Sequence, residues 1–153
     1  MRILSVVLLV VVLLACFMVI KNNRIPSGLG VTKGQFKALN NKPNGVSSQA
    51  EDASKFVQAI PFLGSLESTK LQLKAACETF GECEIITETA DYLHVVFETG
   101  TMKYHDDVEF YFDTDKKMVH YRSESRIGYS DMGLNKERYD AIVQSYNSLK
   151  EAN

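Results

Sequence analysis

Residues 91–124 read "DYLHVVFETGTMKYHDDVEFYFDTDKKMVHYRSE" and contain three runs in which apolar and polar side chains alternate. The runs cover 92–98, 107–113 and 118–124. Because successive side chains of a strand point to opposite faces, this period of two predicts three strands with one apolar face each. The turn "DTDKK" at 113–117 is short enough for a hairpin, so the strands are predicted to be antiparallel.

Helical patterns flank these strands on both sides. The segment "SLESTKLQLKAACETFG" (65–81) carries one apolar stripe, and Gly81 supplies a stop. The members of that stripe are Leu73, Ala76, Cys77 and Phe80. A second stripe near the C-terminus consists of Tyr139, Ile142, Val143 and Tyr146. Asn135 is predicted to cap this last helix, with Leu134 packing against Tyr139.

The order of these elements predicts an α+β fold. We expect a small antiparallel sheet of about four strands with helices packed on one face, the fourth strand coming from "CEIITET" (83–89). The predicted organisation has three parts. Residues 1–20 form a membrane anchor or lipoprotein signal, 21–41 form a linker rich in Gly, Asn and Lys, and 42–153 form a single domain.

The N-terminal segment "ILSVVLLVVVLLACFMVI" (3–20) has no charged side chain and is flanked by Arg2 and Lys21. As a helix it would be ~27 Å long, close to the ~30 Å of a bilayer's hydrocarbon core. Three forms of attachment fit the pattern. It can be an uncleaved anchor, a lipoprotein signal in which Cys16 of "LLAC" is lipidated, or a cleaved signal peptide, and the apolar "FMVI" after Cys16 favours the anchor.

The orientation of the domain is predicted from opposing features. Positive charges after the apolar run favour a cytoplasmic domain, whereas the short charged N-terminus resembles an export signal. Cys77 and Cys83 flank a turn and are either two buried thiols or a disulfide, which would require an oxidising compartment. We expect attachment to the inner membrane of a bacterial cell envelope, with the domain facing the periplasm.

The charge is unevenly distributed along the chain. Residues 1–50 contain six Lys and Arg and no acid, whereas residues 51–153 contain eleven Lys and Arg against nineteen Asp and Glu. An acidic folded part argues against nucleic acid as a partner. The basic arm beside the apolar segment is expected to attract anionic lipid.

The strand face away from the predicted helices collects polar side chains. These are His94, Glu98, Glu109, Tyr111, His120 and Arg122. Cross-strand neighbours lie ~5 Å apart, so Glu109 is expected to pair with His120 or Arg122. The face is interpreted either as a binding platform or acid/base site, or as a solvated surface with ion pairs between strands.

The sequence lacks the recognised patterns of metal, cofactor and nucleophile sites. No HExxH, CxxC, GxSxG, GxGxxG or Walker-type sequence occurs, so no metal and no cofactor are predicted. If the protein is an enzyme, the best candidate is a hydrolase that uses Asp106 and Asp107 with His120, or with Ser47 or Ser48.

The stretch "RSESRIGYSDMGLN" (122–135) combines two arginines with turn residues. Arg122 and Arg126 can pair with Asp106, Asp107 or Asp131 and lock the turn before the last helix. Alternatively, the same arginines can hold an anionic ligand near that helix's N-terminus.

Three ordered motifs, "KPNGVSSQA" (42–50), "DDVEFYFD" (106–113) and "RSESRIGYSDMGLNKER" (122–138), resemble the family called domain of unknown function 1499. The resemblance runs from about residue 28 to 146. It implies a small domain behind a membrane segment or signal, in bacterial and plastid proteins, and it implies no activity. The family tends to carry one Cys within its "PNCVSSQ" motif and another shortly before it. This chain has Gly45 at the motif position and no Cys from residue 31 to 50, so no role of those cysteines carries over.

The positions that match the family define the candidate site. They are Ser47, Ser48, Gln49, Asp106, Asp107, Arg122, Arg126 and Asp131. We expect a membrane-tethered, non-enzymatic module that binds a small anionic ligand or a protein partner or serves in assembly.

Overall fold

The alternating runs form the centre of an antiparallel sheet in the computed structural model, which describes residues 2–100 and 102–151. The elements in chain order are α1 (Arg2–Asn23), β1 (Val31–Thr32), β2 (Gln35–Phe36), β3 (Gly45–Ser47), β4 (Ile60–Pro61), α2 (Leu66–Phe80), β5 (Cys83–Glu88), β6 (Tyr92–Glu98), β7 (His105–Asp113), β8 (Met118–Ser125) and α3 (Leu134–Glu151). The predicted α+β class is confirmed.

The main sheet has six strands among the described residues, so the prediction of about four was too low. Its order is β3-β8-β7-β6-β5, and β4 also pairs with β8. Both additional strands lie along the outer edge of β8, where β3 pairs with residues 122–124 and β4 with 118–119. A separate antiparallel ribbon joins β1 and β2. Strands β3 and β4 have only three and two residues, too few to show a period in the sequence.

The hydrophobic core lies between one face of the sheet and the two helices α2 and α3. The strands contribute Leu93, Val95, Phe97, Val108, Phe110, Phe112, Val119 and Tyr121. The helices contribute Leu73, Ala76, Cys77, Tyr139, Ile142 and Tyr146. These are the apolar positions of the sequence pattern, so the prediction of helices on one face is confirmed.

The opposite sheet face, which we call the polar face, is covered by the chain that precedes β3. His94, Glu109 and Arg122 are at most 3% exposed. The backbone N–H of Gly30 donates to Glu109 (2.7 Å), and Arg122 Nε donates to the carbonyl of Lys37 (2.9 Å). These three side chains are therefore not solvated, and residues 30–40, within the stretch predicted as a linker, lie against this face as a covering layer.

Helix α1 stands clear of the domain. Every side chain from residue 2 to 21 is exposed, and Asn22 is the buried residue of the helix. Its length and its mean hydropathy of 3.4 are compatible with a membrane anchor and equally with a signal sequence.

The ends of the two packed helices are set by polar side chains. Ser65 caps α2 by accepting a hydrogen bond from the N–H of Ser68 (3.1 Å). Helix α3 begins at Leu134, so the prediction that Asn135 is its cap was wrong. Asp131 instead accepts hydrogen bonds from the N–H groups of Gly133 and Asn135 (3.0 and 2.9 Å).

Candidate functional site

The two adjacent aspartates of the family motif lie on opposite faces of the sheet. Both belong to β7, and successive side chains of a strand alternate. Asp106 faces the helices and meets Arg138, with Arg138 Nη2 2.6 Å from its Oδ2. Asp107 lies on the polar face. The two carboxylates therefore do not form a pair that could share one proton or one metal ion.

Asp107 is at the centre of a buried ionic cluster on the polar face. Arg126 binds it in bidentate geometry, with Nε and Nη2 each 2.8 Å from a different carboxylate oxygen. His94 Nε2 donates to the same carboxylate (2.8 Å). Burial alone would raise the pKa of Asp107, but the hydrogen bonds from Arg126 and His94 outweigh it and lower the pKa.

Arg126 also connects this cluster to the end of α1. Its Nη1 donates to the carbonyl of Asn22 (2.9 Å). The side chain of Asn22 donates to the carbonyl of Lys103 (2.7 Å) and accepts from the N–H of His105 (2.9 Å). Arg126 therefore links the sheet to the apolar helix, and Asn22 links that helix to the β6–β7 hairpin.

Arg122 lies at the centre of a second ionic cluster further along the polar face. Its two terminal nitrogens donate to Glu109 and Glu124, each at 2.8 Å. Glu109 also accepts from the hydroxyl of Tyr92 (2.8 Å) and from the covering chain at Gly30. Burial, together with the adjacent Glu109 charge, raises the pKa of Tyr92. The predicted pairing of Glu109 with Arg122 is confirmed, and its second predicted partner, His120, lies opposite Tyr111.

A third cluster lies on the helix side of the sheet. Arg138 bridges Asp106 and the Oδ1 of Asn135, which is 2.7 Å from its Nη1. Its guanidinium stacks over the rings of Phe97 and Phe80, at 4.8 and 5.3 Å from their centroids. Sequence reasoning assigned no role to Arg138, although it stands three residues after Asn135 and four before Ile142, on the buried stripe of α3.

Asp131 joins the third cluster through Asn135, whose Nδ2 donates to Asp131 Oδ2 (2.7 Å). Its carboxylate holds the first turn of α3, and the loop around it contains Gly128 and Gly133 with φ of 93° and 89°. Of the sequence's two interpretations of this loop, the described contacts match the one in which Arg126 and Asp107 lock the turn. Both arginines of the loop are already occupied by buried carboxylates of the chain itself.

The motif "VSSQ" fastens the covering layer to the sheet. Gln49 donates to the carbonyl of Gly34 and accepts from the N–H of Phe36, both at 2.8 Å, and thereby holds the β1–β2 ribbon. Ser48 Oγ accepts from the N–H of Tyr121 (2.9 Å) and lies 3.3 Å from His120 Nδ1. Burial lowers the pKa of His120.

A cleft of about 500 Å³ opens between residues 35–41 and residues 47–55. Its walls include Ser47 and Gln49 of the family motif together with Lys37 and Lys55. Asp106, Asp107, Arg122, Arg126 and Asp131 do not line it. The three motifs of the family therefore do not meet in one pocket, and only the first of them reaches this cleft.

The cysteines and the metal-ligand residue types show no assembled centre in the described part of the chain. Within residues 2–100 and 102–151, no group of three or more His, Cys, Asp or Glu is placed to hold a metal ion. Cys77 and Cys83 are free thiols, and burial raises the pKa of both. Cys16, the candidate lipidation site, is exposed on α1.

The comparisons with known proteins identify a family without assigning an activity. Residues 35–145 match the family described as "Protein of unknown function (DUF1499)". No curated protein and no solved structure matches the chain. The match covers all six strands of the main sheet, helix α2, α3 as far as residue 145, and every clustered side chain from Asp106 to Arg138. The chain therefore belongs to the DUF1499 family.

Proposed function

We propose that the protein is a membrane-tethered, non-enzymatic binding module of the bacterial cell envelope. Helix α1 would hold it in the inner membrane with the domain in the periplasm. The ligand site would be the cleft between residues 35–41 and 47–55, and the ligand would be a small anion or an acidic group of a protein partner.

The observation that carries this proposal is the state of the two lysines in the cleft. Lys37 Nζ donates to the carbonyl of Ser27 and Lys55 Nζ to the carbonyl of Asn40. Among residues 2–100 and 102–151, neither has a carboxylate within 4.0 Å. Arg122 and Arg126, in contrast, are neutralised by buried acids. Lys37 and Lys55 thus bring positive charge without an ion-pair partner to the cleft, whereas the charges of Arg122 and Arg126 are already paired.

Two acidic side chains also line the cleft, and the charge of its wall has to be compatible with an anionic ligand. Glu51 and Asp52 also line it, so the wall as a whole is not strongly basic. Asp52, however, is turned to Ser54, whose N–H and Oγ donate to it at 2.9 and 2.7 Å. These hydrogen bonds lower the pKa of Asp52. A ligand with both an anionic group and hydrogen-bond donors would match this mixed wall.

The test is a titration of the full chain in detergent micelles with inorganic phosphate and with citrate, followed by the amide chemical shifts of residues 35–55. We expect saturable shifts, and about tenfold weaker binding for Lys55→Gln. Lys74→Gln is the matched control, since Lys74 pairs with Glu88 on the opposite side of the core. Equal affinity in the two variants, or no shifts at all, would rule out the cleft as an anion site.

Topology and attachment need a separate experiment. The mass of the mature N-terminus distinguishes an uncleaved anchor, a lipidated Cys16 and a cleaved signal. A reporter fused at the C-terminus, active only in one compartment, gives the orientation. An intact N-terminus and a periplasmic reporter signal are expected, and a cytoplasmic signal would contradict the proposed location.

The hydrolase alternative has one observation in its favour, the contact between Ser48 Oγ and His120 Nδ1. Asp106 and Asp107, the acids expected to complete it, are instead bound to Arg138 and Arg126. Labelling of Ser48 by a fluorophosphonate probe, lost in Ser48→Ala, would favour this alternative over the binding module.

A further inference from the structure

Helix α1 meets the domain without a flexible linker. The apolar run ends at Ile20, and Asn22 is already 7% exposed, held by hydrogen bonds to Lys103, His105 and Arg126. Two residues of helix correspond to ~3 Å along its axis. If Ile20 lies at the edge of the hydrocarbon core, these three residues fall within the headgroup layer, which is about 5–7 Å thick on each side.

The antiparallel register shows which loops lie at the end of the sheet where α1 meets the domain. Glu98 pairs with His105, Asp106 with Ser125, and Glu124 with Gly45. The β6–β7 connection (described at 99–100 and 102–104), the β8–α3 loop (126–133) and the segment before β3 therefore leave the sheet at the same end as α1. The β7–β8 turn at 114–117 lies at the other end.

Large apolar side chains are exposed on two of these loops. Outside α1, the described residues include seven exposed large hydrophobic side chains, and three of them are Met102, Tyr129 and Met132. They are 61%, 74% and 98% exposed. A tyrosine and flexible methionines suit the boundary between headgroups and acyl chains, because they are apolar along most of their length.

Basic side chains surround the same end. Lys21 and Arg24 follow the apolar run, and Lys42 reaches the carbonyl of Gly128 in the β8–α3 loop (3.1 Å). Lys103 is exposed but pairs with Glu98. Cations at this end of the domain would lie beside the lipid phosphates.

We propose that this end of the domain is a membrane-contacting surface, formed by Met102, Tyr129 and Met132 with Lys21, Arg24 and Lys42, and that its partner is the headgroup layer of the bilayer that α1 enters. The inference rests on the tether in the proposed function, and it adds a fixed orientation of the domain. The hydrogen bonds of Asn22 set the distance, the two loops enter the lipid interface, and the β7–β8 turn points away from the membrane.

The chain contains no tryptophan, so single substitutions give site-specific fluorescence. Met102→Trp and Tyr129→Trp test the surface, and Thr114→Trp, exposed at the opposite end, is the matched control. Each full-length variant is reconstituted into vesicles of phosphatidylcholine and phosphatidylglycerol with lipids brominated near the headgroup. Circular dichroism checks the fold. We expect the bromolipids to quench Met102→Trp and Tyr129→Trp at least threefold more than Thr114→Trp.

The readouts separate this surface from the tether. Flotation with the vesicles and equal, weak quenching at all three positions would overturn the membrane-contacting surface and leave the tether standing. Failure to float would overturn both. Protection of Tyr129→Trp from aqueous iodide without quenching by bromolipid would mean that another protein copy covers the loops, which also contradicts the proposal.

Discussion

At the scale of single residues, the ion pair between Arg126 and Asp107 is a buried contact whose loss should substantially lower the free energy of unfolding. Both side chains are buried, at 4% and 2% exposure. In Arg126→Ala, Asp107 would keep a buried charge with only His94 as its partner. Removing one member of such a pair costs ~3–5 kcal/mol. We expect a loss of this size in urea unfolding of the full chain in micelles.

The control for this substitution is Lys136→Ala. Lys136 and Asp140 form an exposed pair one turn apart on α3, so the expected loss is below ~1 kcal/mol. Arg126→Lys adds a second comparison, because a lysine retains the charge but cannot bind the carboxylate through two nitrogens. If Arg126→Ala is as stable as Lys136→Ala, the buried pair does not hold the turn.

Gly45 is required for a close backbone contact between β3 and β8. A Cβ at this position would lie 2.7 Å from the carbonyl oxygen of Ser123. Gly45→Ala is therefore expected to lower the free energy of unfolding by ~1–3 kcal/mol, as overpacking does elsewhere. At Gly81, a Cβ meets no atom within 4 Å, so Gly81→Ala is the control and should change stability little in the same denaturation experiment.

The close contact of Gly45 with β8 is relevant to the family resemblance, because the family tends to have a cysteine at this motif position. A cysteine at position 45 would introduce the same Cβ and displace β3 from β8 in this backbone. Gly45→Cys should consequently destabilise this chain as much as Gly45→Ala does. A Gly45→Cys variant as stable as the native chain would show that β3 can shift outward without loss.

At the scale of elements, the β1–β2 ribbon depends on one side chain. Gln49 supplies the acceptor for the Phe36 N–H and a donor for the Gly34 carbonyl. In Gln49→Ala, the Phe36 amide should exchange with deuterium at least tenfold faster, whereas the amides of β7 should keep their native rates. Unchanged exchange at Phe36 would mean that contacts other than Gln49 hold the covering layer.

Elements with a long run of periodically spaced apolar residues were predictable from the sequence, and the short or irregular ones were not. Strands β6, β7 and β8 and the stripes of α2 and α3 follow from alternation and helical spacing, since each buries a whole face. β3 and β4 exist through their pairing with β8, a tertiary effect that leaves no local pattern. The covering layer likewise has no period, because it is held by hydrogen bonds with Glu109, Gln49 and Arg122 rather than by an apolar stripe.

The candidate site also contains features that the sequence could have indicated and features that depend on the packed fold. Alternation along β7 could already have placed Asp106 and Asp107 on opposite faces, because "DDVEFYFD" is one strand. The helical stripe could have indicated Arg138 as buried. The capping of α3 was harder to predict, because Asn135 is a good cap by residue type. Its buried hydrogen bonds to Ser123 and Arg138, which decide its role, depend on the packed fold.

At the scale of the whole molecule, we expect stability to depend on pH through His120 and Asp107, two groups that are at least partly buried and have a lowered pKa. His120 is neutral in the folded chain at pH values where the unfolded chain, with an ordinary pKa of about 6.5, binds a proton. The unfolded state then holds more protons, so stability rises with pH in this window and falls as pH drops below about 6.5. Asp107 affects stability at lower pH. Its contribution is lost as the pH falls from about 4, the ordinary pKa of the carboxyl group in the unfolded chain, towards the lower pKa that the group has in the folded chain.

Two steps are therefore expected in the free energy of unfolding between pH 8 and pH 3, measured with urea at fixed salt. His120→Asn should remove the upper step and leave the lower one, and Asp107→Asn should flatten the lower one at a reduced overall stability. Asp113 lies 4.0 Å from His120 and favours its protonated form, so Asp113→Asn should enlarge the upper step. A native chain whose stability does not change from pH 7 to pH 5 would mean that His120 is not buried in solution as it is in the structure, because burial is the main cause of its lowered pKa.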